Sequence, residues 1–461
     1  FKRKRKKRNN LYRRTFTHIR RKTLKDLILF LYFFIVIIIG IFSFKKVKNN
    51  SDFFVAGKKA GVFQISGSLL ASILGSSAII GSVDFAYVSG WAGSSLMLCA
   101  ALGLTGLYPL TKYIKYFKGY NLPNMLGTFY GEEVQKISSF IIPAAWLGII
   151  ASQIMGAAKI ITILSFLTYI QGVWISGIVF IFYTILGGQL SIIKTDFIQL
   201  LFILFGIFLT FIYIVPEPMP EKVLPFINNK FNFSDLLVMI LAYSTTYFVG
   251  PDIYSRLFCA KDEKTMKHSI IISVCVLIPL AFILARLGIY GSQIFESSEV
   301  GKESVLLMIA REKLPAFTKF SLYFGLLSAV ISSADTTLLT ASSLFAQVFL
   351  KDLKNKKAVF ITRILTVVFG LSAILISLKM KYILSTLLLA LAVYSGAFII
   401  PTLAGIFGFK CRKEVVITAV ILGGVTALIG KILGGDTGNV VSISAFLING
   451  GILYIGNKIK K

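Results

Sequence analysis

The sequence predicts an all-helical integral membrane protein with many spans, and three observations carry that reading. Of 461 residues, 56% are hydrophobic and only 15% are charged, against about 45–50% (glycine counted) and about 25% in soluble globular chains. The apolar residues gather in long runs, many reaching the ~20 residues a helix needs to cross a bilayer. Short clusters of Lys and Arg separate those runs. Lipid offers the backbone no hydrogen-bond partner, so spanning segments are helices or closed barrels, and runs of this length are helices. An ordinary soluble enzyme, a disordered chain and a disulfide scaffold are excluded together.

Taken in order, the runs fall at 27–44, 62–83, 92–111, 138–165, 171–187, 190–214, 234–249, 269–291, 318–349, 358–378, 383–407, 414–433 and 440–456, about thirteen spans. The loops between them are short, and none is long enough to separate soluble domains. One integral unit is expected.

The charges orient it. Lys and Arg number 49 against 20 Asp and Glu, a net charge of +29. A nucleic-acid surface would place that excess on one face, whereas here it lies in loops. If the first span runs from outside to inside, 25 basic residues fall in cytoplasmic loops, Arg256 and Lys261 among them, and eight fall outside. That skew follows the positive-inside rule and sets the N-terminus outside and the C-terminus in the cytoplasm of a plasma-membrane protein. Residues 1–25 run against it, with thirteen Lys and Arg on the side called external. They are set aside from the fold argument, since a displaced gene start accounts for them as well as a lipid-binding tail does. Lys159 and Arg286 lie near span ends, where long basic side chains snorkel to the interface; pairing with an anion is the alternative for Lys159.

Reactive groups are few. Cys99, Cys259, Cys275 and Cys411 have no metal-ligand spacing, and His18 and His268 lie outside the spans. No nucleophile–base pair or phosphate loop appears, so neither an enzyme nor a cofactor is expected.

Four segments interrupt the apolar pattern. Ser68 to Gly81 places Ser72, Gly75, Ser76 and Ser77 at the centre of a span. This is either a small-residue packing face or an unwound turn facing a cavity. Ala242 to Arg256 breaks at Gly250 and Pro251, an ordinary helix stop or a second unwinding. Ala329 to Ser343 crowds Ser332, Ser333, Thr336 and Thr337 around Asp335. An acid at mid-span costs about 2.5–3.5 kcal/mol on insertion scales, so it needs a cavity, a partner or an ion. Asp196, in Gly187 to Gln199, is either a helix-start carboxylate or a second such acid. Hydroxyl, carbonyl and carboxylate oxygens suit a hard cation.

These segments resemble a family. SDFFVAGKKAG (Ser51 to Gly61), GGQLSIIKTDFIQ (Gly187 to Gln199), YFVGPDIYSRLFCAKD (Tyr247 to Asp262) and AVISSADTTLL (Ala329 to Leu339) are similar, in order, to blocks of the sodium/solute symporters, over about residues 27–456. The resemblance implies a leucine-transporter-type core of two inverted five-helix repeats. Residues 62–214 form the first, and 215–407 hold an external loop and the second. A peripheral helix and loop (26–61) precede the core and two peripheral helices (408–461) follow it. It implies a sodium ion held by the carbonyls of Ala71, Leu74 and Ala329 and the hydroxyls of Ser332 and Ser333, with a second sodium near Asp196 that shares the same serines. Solute contacts carry over to Ser76, Ser77, Gln153, Tyr243 and Tyr247, with Pro251 below. Proline carriers of the family have an aspartate where this chain has Ile73 and a tryptophan where it has Tyr243, which argues against proline.

The expected function is therefore sodium-coupled symport of a small polar organic solute by alternating access, with the bilayer, the solute and Na+ as partners and no nucleic acid. A proton-coupled carrier of the same fold, titrating Asp196 or Asp335, is the alternative. The paired serines favour sodium, because a hydroxyl does not titrate near neutrality. A transporter-like sensor is disfavoured by the absence of a soluble module after the last span.

Overall fold

The computed structural model describes residues 34, 38, 47–114, 121–165, 167–296, 304–350, 353–380 and 382–458. The basic stretch 1–25 and nearly all of the expected first span, 27–44, lie outside the described residues. Every extended element among the described residues is helical, and ten stretches are long and apolar enough to cross a bilayer.

The expected span 62–83 is two helices, α1 (Val62–Ile73) and α2 (Ser76–Ser89), parted at Leu74 and Gly75. After α3 (Ser95–Leu107) and α4 (Glu132–Leu164) comes α5 (Tyr169–Ile214), which counts 46 residues. A straight helix of that length measures about 69 Å, twice the ~30 Å of a bilayer's hydrocarbon core. It is not straight. Gly188 takes a left-handed φ of 56°, ψ −164°, and Tyr183 Oη lies 2.7 Å from Thr195 Oγ1, a pair that about 18 Å of helix axis would otherwise separate. Thus α5 is a hairpin of two spans, as the runs 171–187 and 190–214 require. Any side chain at residue 188 would place its Cβ 2.6 Å from the Phe53 ring, so the turn needs glycine.

Next, α6 (Phe233–Met239), a wide π turn (Ile240–Ser244), α7 (Thr245–Val249) and α8 (Pro251–Leu257) form one interrupted span, with extended backbone at Gly250. α9 (Glu263–Ile294) starts at Asp262, which accepts the Thr265 N–H at 2.7 Å. That bond holds the Asp262 carboxyl below the usual range, the ordinary effect of a cap favouring the charged form. The chain closes with α10 (Val305–Glu312), α11 (Ala316–Phe349), α12 (Ala358–Lys379), α13 (Ile383–Ile406), α14 (Lys413–Leu433) and α15 (Gly435–Lys458).

Burial sorts these helices into an inside and an outside. Of the membrane window of α11, 94% is buried, against 39% for α12 and 33% for α15. The most hydroxyl-rich helix is therefore the innermost, packed against α4 and α5. Phe360, Ile432 and Leu447 are exposed on the outer helices, where lipid solvates them. Arg286 does not snorkel as expected. It is buried, and its Nη2 donates to the Glu217 carbonyl at 2.6 Å, tying a loop to α9.

Candidate functional site

The break between α1 and α2 leaves carbonyls without helical donors. The Leu74 N–H closes the last turn onto Leu70 at 2.8 Å, and the carbonyls of Ala71 and Ser72 are met from another helix. Ser332 Oγ, on α11, lies 2.8 Å from the Ala71 carbonyl and 3.1 Å from that of Ala329, one proton shared between two acceptors. Ser333 Oγ donates to the Ser72 carbonyl at 2.9 Å, and Ser72 Oγ to the Ser332 carbonyl at 3.4 Å. So Ala71, Ala329, Ser332 and Ser333 converge from segments about 260 residues apart. Leu74 sits buried at the break itself. Sequence reasoning did not give the Ser72 carbonyl a role, although Ser72 belongs to the small-residue run that marks the break. Gly75 makes the approach feasible: a Cβ there would lie 2.7 Å from Ser333 Oγ and 2.8 Å from Gln153 Nε2.

Beside the break lies a small cavity of about 40 Å³, a few times the ~10–15 Å³ that one water needs. Ser77, Gln153, Tyr243 and Tyr247 line it, together with Ser72 and Ser333. Gln153 Nε2 donates to Ser77 Oγ at 2.9 Å. Tyr247 Oη donates to Tyr243 Oη at 2.9 Å, with the rings edge to face at 5.1 Å. Ser76 is placed differently from the expectation. It is buried beside Gly156, outside the cavity wall, and its hydroxyl meets Gln153 Oε1 at 3.4 Å. It orients the amide rather than facing the cavity.

Two lining residues were missed. Trp146 lies inside an apolar run that hides it, is fully buried, and its indole N–H has no acceptor. Asp252, one residue past Pro251, lines the same cavity, although its sequence context is that of a loop.

A charged cluster sits next to the ion-type oxygens, and here the sequence reading needs correcting. Arg256 was counted among cytoplasmic loop charges, yet its side chain is fully buried. Its Nε lies 2.9 Å from both the carbonyl and the hydroxyl of Ser68, Nη2 donates to Thr336 Oγ1 at 2.7 Å, and Nη2 is 3.7 Å from Asp196 Oδ2. A buried guanidinium requires such a partner. Asp196 also accepts the Ser68 hydroxyl, and Asp335 Oδ1 accepts that of Thr336 at 3.3 Å. The second acid's partners are thus Ser68 and Arg256 rather than the α11 serines. Asp196 Oδ1 and Asp335 Oδ2 are buried with no donor. Among the described residues no three His, Cys, Asp or Glu gather as a metal-binding group.

Comparison with known proteins agrees with this architecture. The model of the sodium:solute symporter family matches residues 53–218. The sodium/proline symporter of Escherichia coli is 22% identical over 436 residues, covering 87% of each chain. The osmoregulated proline transporter of Bacillus subtilis is 24% identical over 428 residues, again 87% of each. The human high affinity choline transporter 1 is 22% identical, covering 76% of this chain and 67% of its own. Among solved structures, an outward-open sodium-coupled sialic acid symporter superposes with a TM-score of 0.76 at 17% identity, covering 94% of this chain and 97% of that one. Mhp1 in a closed conformation gives 0.61 at 14%, covering 89% and 96%. The fold is of the leucine-transporter type. In sequence, this chain is similar to members of the sodium:solute symporter family, and its fold is that of the sialic acid symporter and Mhp1.

Proposed function

We propose that the protein is a multi-pass secondary transporter that couples inward movement of sodium to symport of a small polar organic solute. The observation that carries the reading is the meeting of Ser332 and Ser333 with the freed carbonyls of Ala71 and Ser72. Each hydroxyl is now a donor to a carbonyl. If both rotate their protons away, hydroxyl and carbonyl oxygens all present lone pairs to one hard cation. Ala71, Ala329, Ser332 and Ser333 hold that ion, with Leu74 completing the set at the break. Ser77, Gln153, Tyr243 and Tyr247 contact the solute. Asp196 serves a second ion less directly than expected, because Arg256 already balances it.

The energetics suffice. One charge crossing about 100 mV yields roughly 2.3 kcal/mol, and about 1.4 kcal/mol is tenfold, so one ion sustains roughly fortyfold accumulation before its own gradient is counted. We also read 62–214 and 215–407 as the two halves that rock against each other, with the C-terminus cytoplasmic and the N-terminus outside. The test is uptake into liposomes from a panel of labelled solutes under a sodium, a potassium or a proton gradient. Sodium-driven uptake that disappears in Ser332→Ala with Ser333→Ala is the expected result. Uptake driven by protons alone, lost in Asp196→Asn or Asp335→Asn, would instead establish the proton-coupled alternative.

A further inference from the structure

We infer that the solute of the central cavity is an organic cation bearing a hydrogen-bond acceptor. The inference deepens the symport reading and rests on it. Three aromatic side chains, Trp146, Tyr243 and Tyr247, line the cavity together with the carboxylate of Asp252, and its described lining contains no Lys, Arg or His. Aromatic faces attract a cation through their quadrupole, most strongly where water is excluded. A carboxylic anion entering the same space meets one like charge and no opposite one.

The surrounding charge count points the same way. Among the described residues, Arg256 is the guanidinium near Asp196, Asp252 and Asp335, and it pairs with Asp196. Arg256 does not line the cavity. It spends its donors on Ser68, Thr336 and the Asp252 backbone carbonyl, the last at 3.2 Å, and its nearest carboxylate is Asp196. Arg256 lies beside Asp196, and a solute cation would balance the Asp252 carboxylate on the cavity wall, since burying uncompensated charge is costly.

The Trp146 indole N–H, buried and without an acceptor, supplies the second requirement. A buried donor left unmet costs about 1–3 kcal/mol, and an oxygen on the solute would meet it. Gln153 Nε2 already donates to Ser77 Oγ, whereas the indole N–H on the same wall has no acceptor.

The test is direct binding to purified protein in sodium or potassium, by calorimetry, with choline as hydroxylated cation, proline as zwitterion and lactate as anion. Thermal unfolding of the same samples in the two salts reads the ion site separately. Sodium-dependent binding of choline is expected, weakened at least tenfold in Asp252→Asn, retained in Asp252→Glu, and no tighter than that of tetramethylammonium in Trp146→Phe. Tighter binding of proline or lactate, no binding of choline, or unchanged choline affinity in Asp252→Asn would overturn the inference. Should sodium still raise the unfolding temperature in those cases, the symport reading survives. Should sodium not raise it, the symport reading fails as well.

Discussion

The two broken spans are built alike and capped differently. At Leu74–Gly75 the freed carbonyls of Ala71 and Ser72 are met by hydroxyls from α11, a helix distant in sequence. In the span that breaks at Gly250, the loosened carbonyls are met mostly at home. Thr246 Oγ1 donates to the Ala242 carbonyl at 2.7 Å, and Thr245 donates to that of Leu241. The Val249 carbonyl is met from outside, by Tyr394 Oη at 2.7 Å. A cap borrowed from a partner helix can be exchanged for an ion when the two helices close on it. A cap supplied by the same helix stays put. The first break is suited to a reversible ligand, the second to a fixed wall beside the solute.

Substitutions can separate these roles. The largest effect is expected at Arg256, which joins α8 to α1. Arg256→Leu leaves Asp196 buried and unpaired, costing about 3–5 kcal/mol, read as a large drop in the unfolding temperature. Partial recovery in Asp196→Asn with Arg256→Gln would sharpen the point, and an unaffected single variant would remove the pair from the account. Next comes the borrowed cap. Removing both serine hydroxyls strips two oxygens from the ion set, and sodium affinity is expected to fall about a hundredfold, about 2.8 kcal/mol, measured as the sodium concentration for half-maximal uptake. Gly75→Ala should follow, since its Cβ would overlap Ser333 and Gln153. Overpacking of this kind costs about 1–3 kcal/mol, visible in thermal unfolding and in weakened sodium dependence together. Smallest is Tyr394→Phe. It removes one cap from the second break for about 1 kcal/mol and should leave sodium dependence unchanged. A shifted sodium requirement in that variant would mean the two breaks are not distinct.

The parts of this site that were legible in the sequence are those whose signal is local. A run of small polar residues inside an apolar span announces a break, and Asp335 among serines and threonines announces a helix with a polar task. Arg256 and Asp252 were not legible, because they follow a proline in a stretch that reads as a loop. Their burial depends on α8 turning inward beneath α1. The Arg256–Ser68 contact joins residues 188 apart, and no spacing rule encodes such a meeting. Trp146 was hidden for the opposite reason: an indole in an apolar run is unremarkable until a cavity opens beside it. Ser76 was read as facing that cavity, but the ~100° of helix turn per residue carries its hydroxyl to Gln153 Oε1 and Gly156 instead.

Ser333 belongs to two sets at once. It caps the Ser72 carbonyl in the ion-type cluster, and it forms part of the cavity wall. On the proposed assignment a single side chain is therefore common to the two ligands' surroundings, and whatever fixes its rotamer for one would alter the reception of the other. Thermodynamic reciprocity then fixes the arithmetic: the factor by which sodium tightens solute must equal the factor by which solute tightens sodium. Two titrations run in opposite order on this protein must return the same number.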